Sequence, residues 1–245
     1  LDGTGFAGGT ILQLPSGSPY NNIYWHIKDL RIQGSSTGGG SASDAATGLN
    51  LPYGTGPGKI SDVWFDNLYS YGIYNSFANS VEISHCNFRN YSGTALYYSN
   101  TWHQRIIGCE FFSPYATYGI QTNSLLAHNN ISNNIFDFLL SGANAVTAIY
   151  THSGANGYGN IIANNVIRVI ANSASNVYGI DNTGINTNII GNYLSIVNSG
   201  AGGGVGILSS GNYCNVSANN SKGSKTANSI SGTGTETGGA NIDAP

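Results

Sequence analysis

ISNNIF (131–136), IANNVI (162–167) and IIGNYL (189–194) share one grammar: an apolar residue, Asn three positions on, and a second apolar residue two further. Working outward, the pattern runs back through IIGCEF (106–111), ISHCNF (83–88) and VWFDNL (63–68), and forward to VSANNS (216–221). The polar anchor then falls at Asp66, Cys86, Cys109, Asn134, Asn165, Asn192 and Asn219, with spacings of 20, 23, 25, 31, 27 and 27 residues. Periods of this length mean a stack of similar units, each too thin to bury its own apolar face.

A second register advances with the first. GIY (72–74), ALY (95–97), GIQ (119–121), AIY (148–150), GID (179–181) and GIL (206–208) recur between the anchors. Each unit therefore holds at least two short strands, with a third after the anchor and insertions confined to the turns. Three strands in some 20 to 30 residues, with Gly, Asn and Ser at the corners, make one turn of a parallel β-helix. The expected fold is all-β: a single-stranded, right-handed parallel β-helix of about eight coils of three short strands. It should occupy residues 1–220, followed by an irregular Gly/Ser/Thr-rich tail at 221–245. The numerous Leu of leucine-rich repeats are absent, and no stretch carries helical periodicity.

Composition agrees. The chain has 245 residues, 35 Gly, 32 Asn, 16 Tyr and only 8% charged residues, against about 25% in ordinary domains. Gly and Asn accept the left-handed backbone that tight corners need. No apolar run is long enough to span a membrane, and the lack of Met and of a signal peptide suggests a processed product. The net charge is −3 with charges scattered singly, which argues against nucleic acid as a partner. A neutral surface of hydroxyls, amides and Tyr rings suits sugars, and it equally suits packing against other copies of the chain.

The repeat grammar, together with the opening GTGFAGGTILQLPSG (3–17) and NNIYWHIKDLRIQG (21–34), resembles the pectate-lyase-like right-handed β-helix superfamily. The short Gly- and Asn-rich coils are most similar to viral tailspike and depolymerase-type members. The resemblance implies an extracellular or virion-surface protein that contacts a polysaccharide or cell-surface glycan. It also implies trimers or end-to-end assemblies. The NTD, DD, GHG and RIK strings of the polygalacturonase branch are missing, so it does not fix an activity.

Stacking turns equivalent positions into columns about 4.8 Å apart. Val63, Ile83, Ile106, Ile131, Ile162, Ile189 and Val216 should form one inward column, and Leu68, Phe88, Phe111, Phe136, Ile167 and Leu194 another. The Asn anchors should pass amide hydrogen bonds from coil to coil. Cys86 and Cys109 share that column, as a disulfide or as two buried thiols. Neither zinc-ligand spacing nor any other metal or cofactor motif occurs.

The concentrated chemistry lies just before the inward apolar residue, at Asp62, Glu82 and Arg105. Two carboxylates one coil apart would approach the separation that glycosidases use, and Arg105 would bind an acidic sugar or hold one carboxylate ionised. These three are the candidate catalytic residues, for a polysaccharide hydrolase or lyase. Trp64, His85 and His103 beside them, with Tyr74 and Tyr97 on the GI strands, are the candidate substrate contacts. The competing reading makes Asp62, Glu82 and Arg105 a solvated ladder and the Tyr rows a subunit interface. In that case the chain is a non-catalytic structural or adhesive subunit of an extracellular filament, sheath or spike.

Overall fold

The structure, a computed structural model, describes residues 1, 9–16, 24–34, 47–123, 128–140, 145–152, 159–223, 229–230 and 242–244. They form a three-sheet parallel β-solenoid with no helix among them. Each coil gives one strand to each sheet. The first sheet has nine strands and includes Tyr71–Ser76, Thr94–Ser99, Tyr118–Asn123, Thr147–Thr151 and Val177–Asn182; the second has eight, among them Gly58–Ser61, Val81–Ser84 and Arg105–Ile107; the third has nine, among them Trp64–Asp66, Asn87–Arg89, Ile135–Leu139 and Val166–Ala171. Pairing continues past residue 220, where Ser229–Ile230 and Ile242–Ala244 extend the first and third sheets.

The register corrects the first copy of the repeat. Ile60, not Val63, pairs with Ile83, and Phe65, not Leu68, pairs with Phe88. The unit is therefore ISDVWF (60–65), and the anchor position of that coil is Val63. Asp66 is no anchor, because it faces outward between Gln33 and Arg89 on the third sheet. VWFDNL satisfied the apolar–polar–apolar pattern by coincidence, three residues out of phase. A GI-type unit one coil earlier, Gly48-Leu49-Asn50, also escaped the sequence pattern; it lies in the strand Thr47–Leu51.

The interior is filled column by column. Leu49, Ile73, Leu96, Ile120, Ile149, Ile180 and Ile207 come from the first sheet, and Ile60 through Val216 from the second; nearly all are fully buried. In the third sheet Phe65, Phe88, Phe111 and Phe136 stack with ring centroids 4.8, 5.0 and 4.5 Å apart and planes within 5°. That stack explains the Gly of the GI strands. A Cβ on Gly119 would stand 2.5 Å from the Ala148 carbonyl oxygen and 2.8 Å from the Phe136 ring.

The polar anchors are satisfied from coil to coil. Asn134, Asn165 and Asn192 each donate from Nδ2 to Oδ1 of the next Asn at 2.9–3.0 Å. Their backbone N–H groups donate to the same oxygens at 3.0 Å. The other Nδ2 hydrogens go back to the carbonyls of Ile106, Ile131 and Ile162. A buried amide with every group partnered stabilises where an unpartnered one would cost. Cys86 and Cys109 continue the column as free buried thiols, donating to the carbonyls of Ile60 and Ile83. A second, shorter ladder joins Gln104, Asn129 and Asn160 at the neighbouring corner.

The turn between the second and third sheets is one residue in the left-handed region on every coil: Asp29, Asp62, His85, Gly108, Asn133, Asn164, Gly191 and Ala218. The N–H groups of the first seven donate to the following coil, as from Asp62 to Ser84 and from His85 to Ile107. Asn133, Asn164, Gly108 and Gly191 suit this corner because Asn and Gly take the left-handed region readily.

Candidate functional site

The corrected register redistributes the residues singled out in the sequence. Glu82 and Arg105 are adjacent in one outward column of the second sheet, and Lys59, not Asp62, precedes them. Lys59 Nζ lies 2.9 Å from Glu82 Oε1, and Arg105 Nη1 lies 3.0 Å from Oε2. The hydrogen bond from Lys59, aided by the charges of Lys59 and Arg105, holds the Glu82 carboxyl below the usual carboxylate range. A carboxylate held ionised between two cations is a poor proton donor.

Asp62 is exposed three residues further on, in the left-handed corner, where His85 is its successor on the next coil. Trp64 belongs to the third sheet, opposite Arg31 and Asn87, with the Arg89 guanidinium 4.7 Å over its ring. His103 stands at the corner between the first and second sheets and stacks on His128 at 5.5 Å. Lys59, Glu82 and Arg105 are thus brought together, while Asp62, Trp64 and His103 lie on other surfaces of the coil.

Tyr74 and Tyr97 are stacked on the first sheet at 5.1 Å, and Tyr71 packs against both. They open onto a larger feature. One outward column reads Tyr71, Thr94, Tyr118, Thr147, Tyr178, an alternation of tall and short side chains. Two depressions lie between the tall ones. The first, of about 440 Å³, is bounded by Tyr71 and Tyr118 and floored by Ser92, Gly93 and Thr94. The second, of about 570 Å³, runs from Tyr118 over Thr147 to Tyr178 and also touches Tyr150, Asn176 and Asp181. Both include Thr117 and Tyr118, so they lie in line along the stack as a groove divided by Tyr118, with tyrosine walls about 9–10 Å apart at two strand spacings.

Asp181 is the residue the sequence reading missed. It is half-buried, between Tyr150 on the preceding coil and Leu208 on the following one. Its Oδ1 is buried with no hydrogen-bond partner in the protein. Burial pushes its carboxyl above the ordinary value of 3.8, opposed by the charge of nearby His152. Burial, then Asp181 itself, raises the Tyr150 phenol, which stays protonated. The signal was present in GID (179–181), the one copy of that register carrying a carboxylate where others have Tyr, Gln or Leu. Among the described residues no group of three His, Cys, Asp or Glu side chains converges to hold a metal.

No family model matches the sequence, and no curated protein matches it. Among solved structures, DFA-IIIase from Arthrobacter chlorophenolicus A6 in complex with DFA-III overlays with a TM-score of 0.59 at 11% identity, over 88% of this chain. The chain spans 58% of the length of that enzyme. Alginate lyase from Paenibacillus sp. str. FPU-7 overlays with a TM-score of 0.43 at 16% identity, over 88% of this chain and 78% of the lyase. The chain shares its parallel β-helix fold with the first of these, and at that identity the likeness is one of fold.

Proposed function

We propose that this chain is an extracellular or virion-surface β-helix that contacts carbohydrate, and that the tyrosine-walled groove on its first sheet is the contact surface. The observation that carries the reading is the pair of adjacent depressions between Tyr71, Tyr118 and Tyr178. Tyr rings present apolar faces to sugar C–H groups and hydroxyls to sugar oxygens at little entropic cost. The floor of Thr, Ser and Gly leaves room for a flat ring. A sugar unit is about as long as the spacing between strands, so a glycan lying along the stack meets the same lining at every second coil. The structural neighbour solved with DFA-III supports this reading by its fold.

The test is binding to a polysaccharide panel by titration calorimetry, with Tyr118→Ala as the discriminating variant, since Tyr118 lines both depressions. Loss of at least about tenfold in affinity is expected, corresponding to about 1.4 kcal/mol. Unchanged binding by Tyr118→Ala would remove the groove from the function. If cleavage accompanies binding, release of reducing ends marks a hydrolase and of unsaturated ends a lyase. Activity that survives Asp62→Ala, Glu82→Ala and Arg105→Ala excludes that trio from the chemistry.

A second reading, a structural subunit packing against its own copies, is favoured by the third sheet. Ile135, Val166 and Tyr193 form one exposed column, and Leu139, Ile170 and Val197 another, each residue 39–47% exposed. Between them Asp137 and Arg168 pair side by side, so no net charge opposes contact between two copies. Sedimentation of the wild type and of Ile170→Asp separates the readings: assembly through this face disperses in the variant, whereas sugar binding is untouched.

A further inference from the structure

We propose that the depression over Asp181 takes a neutral sugar residue, a hydroxyl of which donates a hydrogen bond to the Asp181 carboxylate, and that it excludes uronic-acid residues. The inference rests on the groove being the glycan-contact surface, and it names the class of glycan.

Three observations carry it. The first is where the cations are. Lys28, Lys59 and Arg105 belong to strands of the second sheet, and Arg31, Arg89, Arg168 and Lys222 to strands of the third. No described Lys or Arg stands on the first sheet. A polyuronate carries one carboxylate on each acidic unit, and burying it unpaired is costly. The groove offers it no guanidinium or ammonium. The second is that Asp181 is the one charged side chain among the described residues lining the two depressions. It presents to any bound uronate a charge of the same sign.

The third is the unpartnered Asp181 Oδ1. Among the described residues the other carboxylates that are not exposed are neutralised across the stack: Glu82 by Lys59 and Arg105, Asp66 by Arg31, Asp137 by Arg168. Asp181 has Tyr150 and Leu208 in those places. A carboxylate accepts and does not donate, so a sugar hydroxyl supplies the donor that the column lacks; Oδ1 lies beneath the surface, and the contact falls on the part of the side chain that lines the depression. Tyr118 and Tyr178 flank the ring that such a contact would hold.

The experiment compares neutral oligosaccharides (gluco-, manno-, galacto- and fructo-oligomers) with oligogalacturonate and oligoalginate, using the full chain, Asp181→Asn and Tyr118→Ala. Circular dichroism and melting check that each variant is folded. The expected result is that the wild type binds a neutral oligomer at least about tenfold tighter than either uronate. Asp181→Asn keeps the shape and weakens the neutral ligand by about ten- to a hundredfold. A wild type that prefers uronates overturns the inference. So does an Asp181→Asn variant that binds the neutral ligand undiminished while Tyr118→Ala does not; in either case the groove survives as the binding surface. Binding that is indifferent to Tyr118→Ala instead removes the groove, and the inference with it.

Discussion

Asn165→Ala tests whether the stack is held from within by its amide ladder. Asn165 makes four side-chain hydrogen bonds, all buried. Its Oδ1 accepts from the Asn134 backbone N–H and from Asn134 Nδ2, both at 3.0 Å. Its Nδ2 donates to the Ile131 carbonyl at 3.0 Å and to Asn192 Oδ1 at 2.9 Å. Truncation strands two donors of Asn134 in a site where that residue is 0% exposed. At about 1–3 kcal/mol for each unsatisfied buried group, the loss is about 2–6 kcal/mol. Asn165→Cys should cost less, because a thiol at this position still reaches the carbonyl of the preceding coil, as Cys109 reaches that of Ile83.

The assay is urea unfolding followed by tyrosine fluorescence and circular dichroism, with exposed Asn172→Ala as control. A stack of near-neighbour units need not unfold in one step, so the slope of the transition is compared as well as its midpoint. Hydrogen exchange at the Asn134 amide gives the local readout. A loss below about 1 kcal/mol for Asn165→Ala, against the unsatisfied-donor cost, together with unchanged exchange at Asn134, would refute the ladder as a source of stability.

Ala218 holds a left-handed corner at φ 54°, so Ala218→Gly should raise the melting temperature by relieving a cost of about 1 kcal/mol, and a lowered temperature would contradict the strain. Gly119→Ala should destabilise by about 1–3 kcal/mol through overpacking, because its Cβ meets the Ala148 carbonyl and the Phe136 ring; a neutral outcome in thermal melts would mean the coils are more loosely spaced. Asp181→Asn should stabilise the unliganded protein at pH 7. The folded carboxyl titrates above its unfolded value, so its contribution is most favourable below the unfolded pKa and is lost as pH rises through the folded one. The gain from Asn should therefore fade below about pH 4, near the unfolded carboxylate pKa, and equal melting shifts at pH 3 and pH 7 would refute it. Glu82→Gln should lower stability slightly at pH 7, with the difference disappearing in 1 M salt, because the bridges to Lys59 and Arg105 are open to solvent and screening reaches them. Glu82 has the opposite sign to Asp181: its lowered pKa means the bridges stabilise above the unfolded carboxylate pKa and are lost as pH falls through the folded one.

The architecture was legible because the stack repeats what it needs. The apolar columns recur on each coil since each must cover its neighbours, and the Asn anchors recur since each amide serves the next. Phase was harder to read. VWFDNL carries the apolar–polar–apolar pattern, and nothing local distinguishes Asp66 at the outward position opposite Arg89 from an inward anchor. Only pairing with the next coil, Phe65 against Phe88, sets it three residues back. That slip carried Asp62 into a column with Glu82 that the chain gives to Lys59.

The site was illegible for a related reason. In a parallel stack with near-constant register, equal positions lie one above another, so a repeated charge would repel itself at every step. The second and third sheets answer by alternating sign, as in Lys59–Glu82–Arg105 and Asp137–Arg168, and these conspicuous groups cancel one another. A search for clustered charge in the sequence therefore finds the ladders first. A group free to act on something outside the chain has to be one that its own column leaves uncompensated. Asp181 meets that condition, with Tyr150 before it and Leu208 after it. On the proposed reading, departure from the column, rather than its recurrence, separates contact chemistry from scaffold in this solenoid.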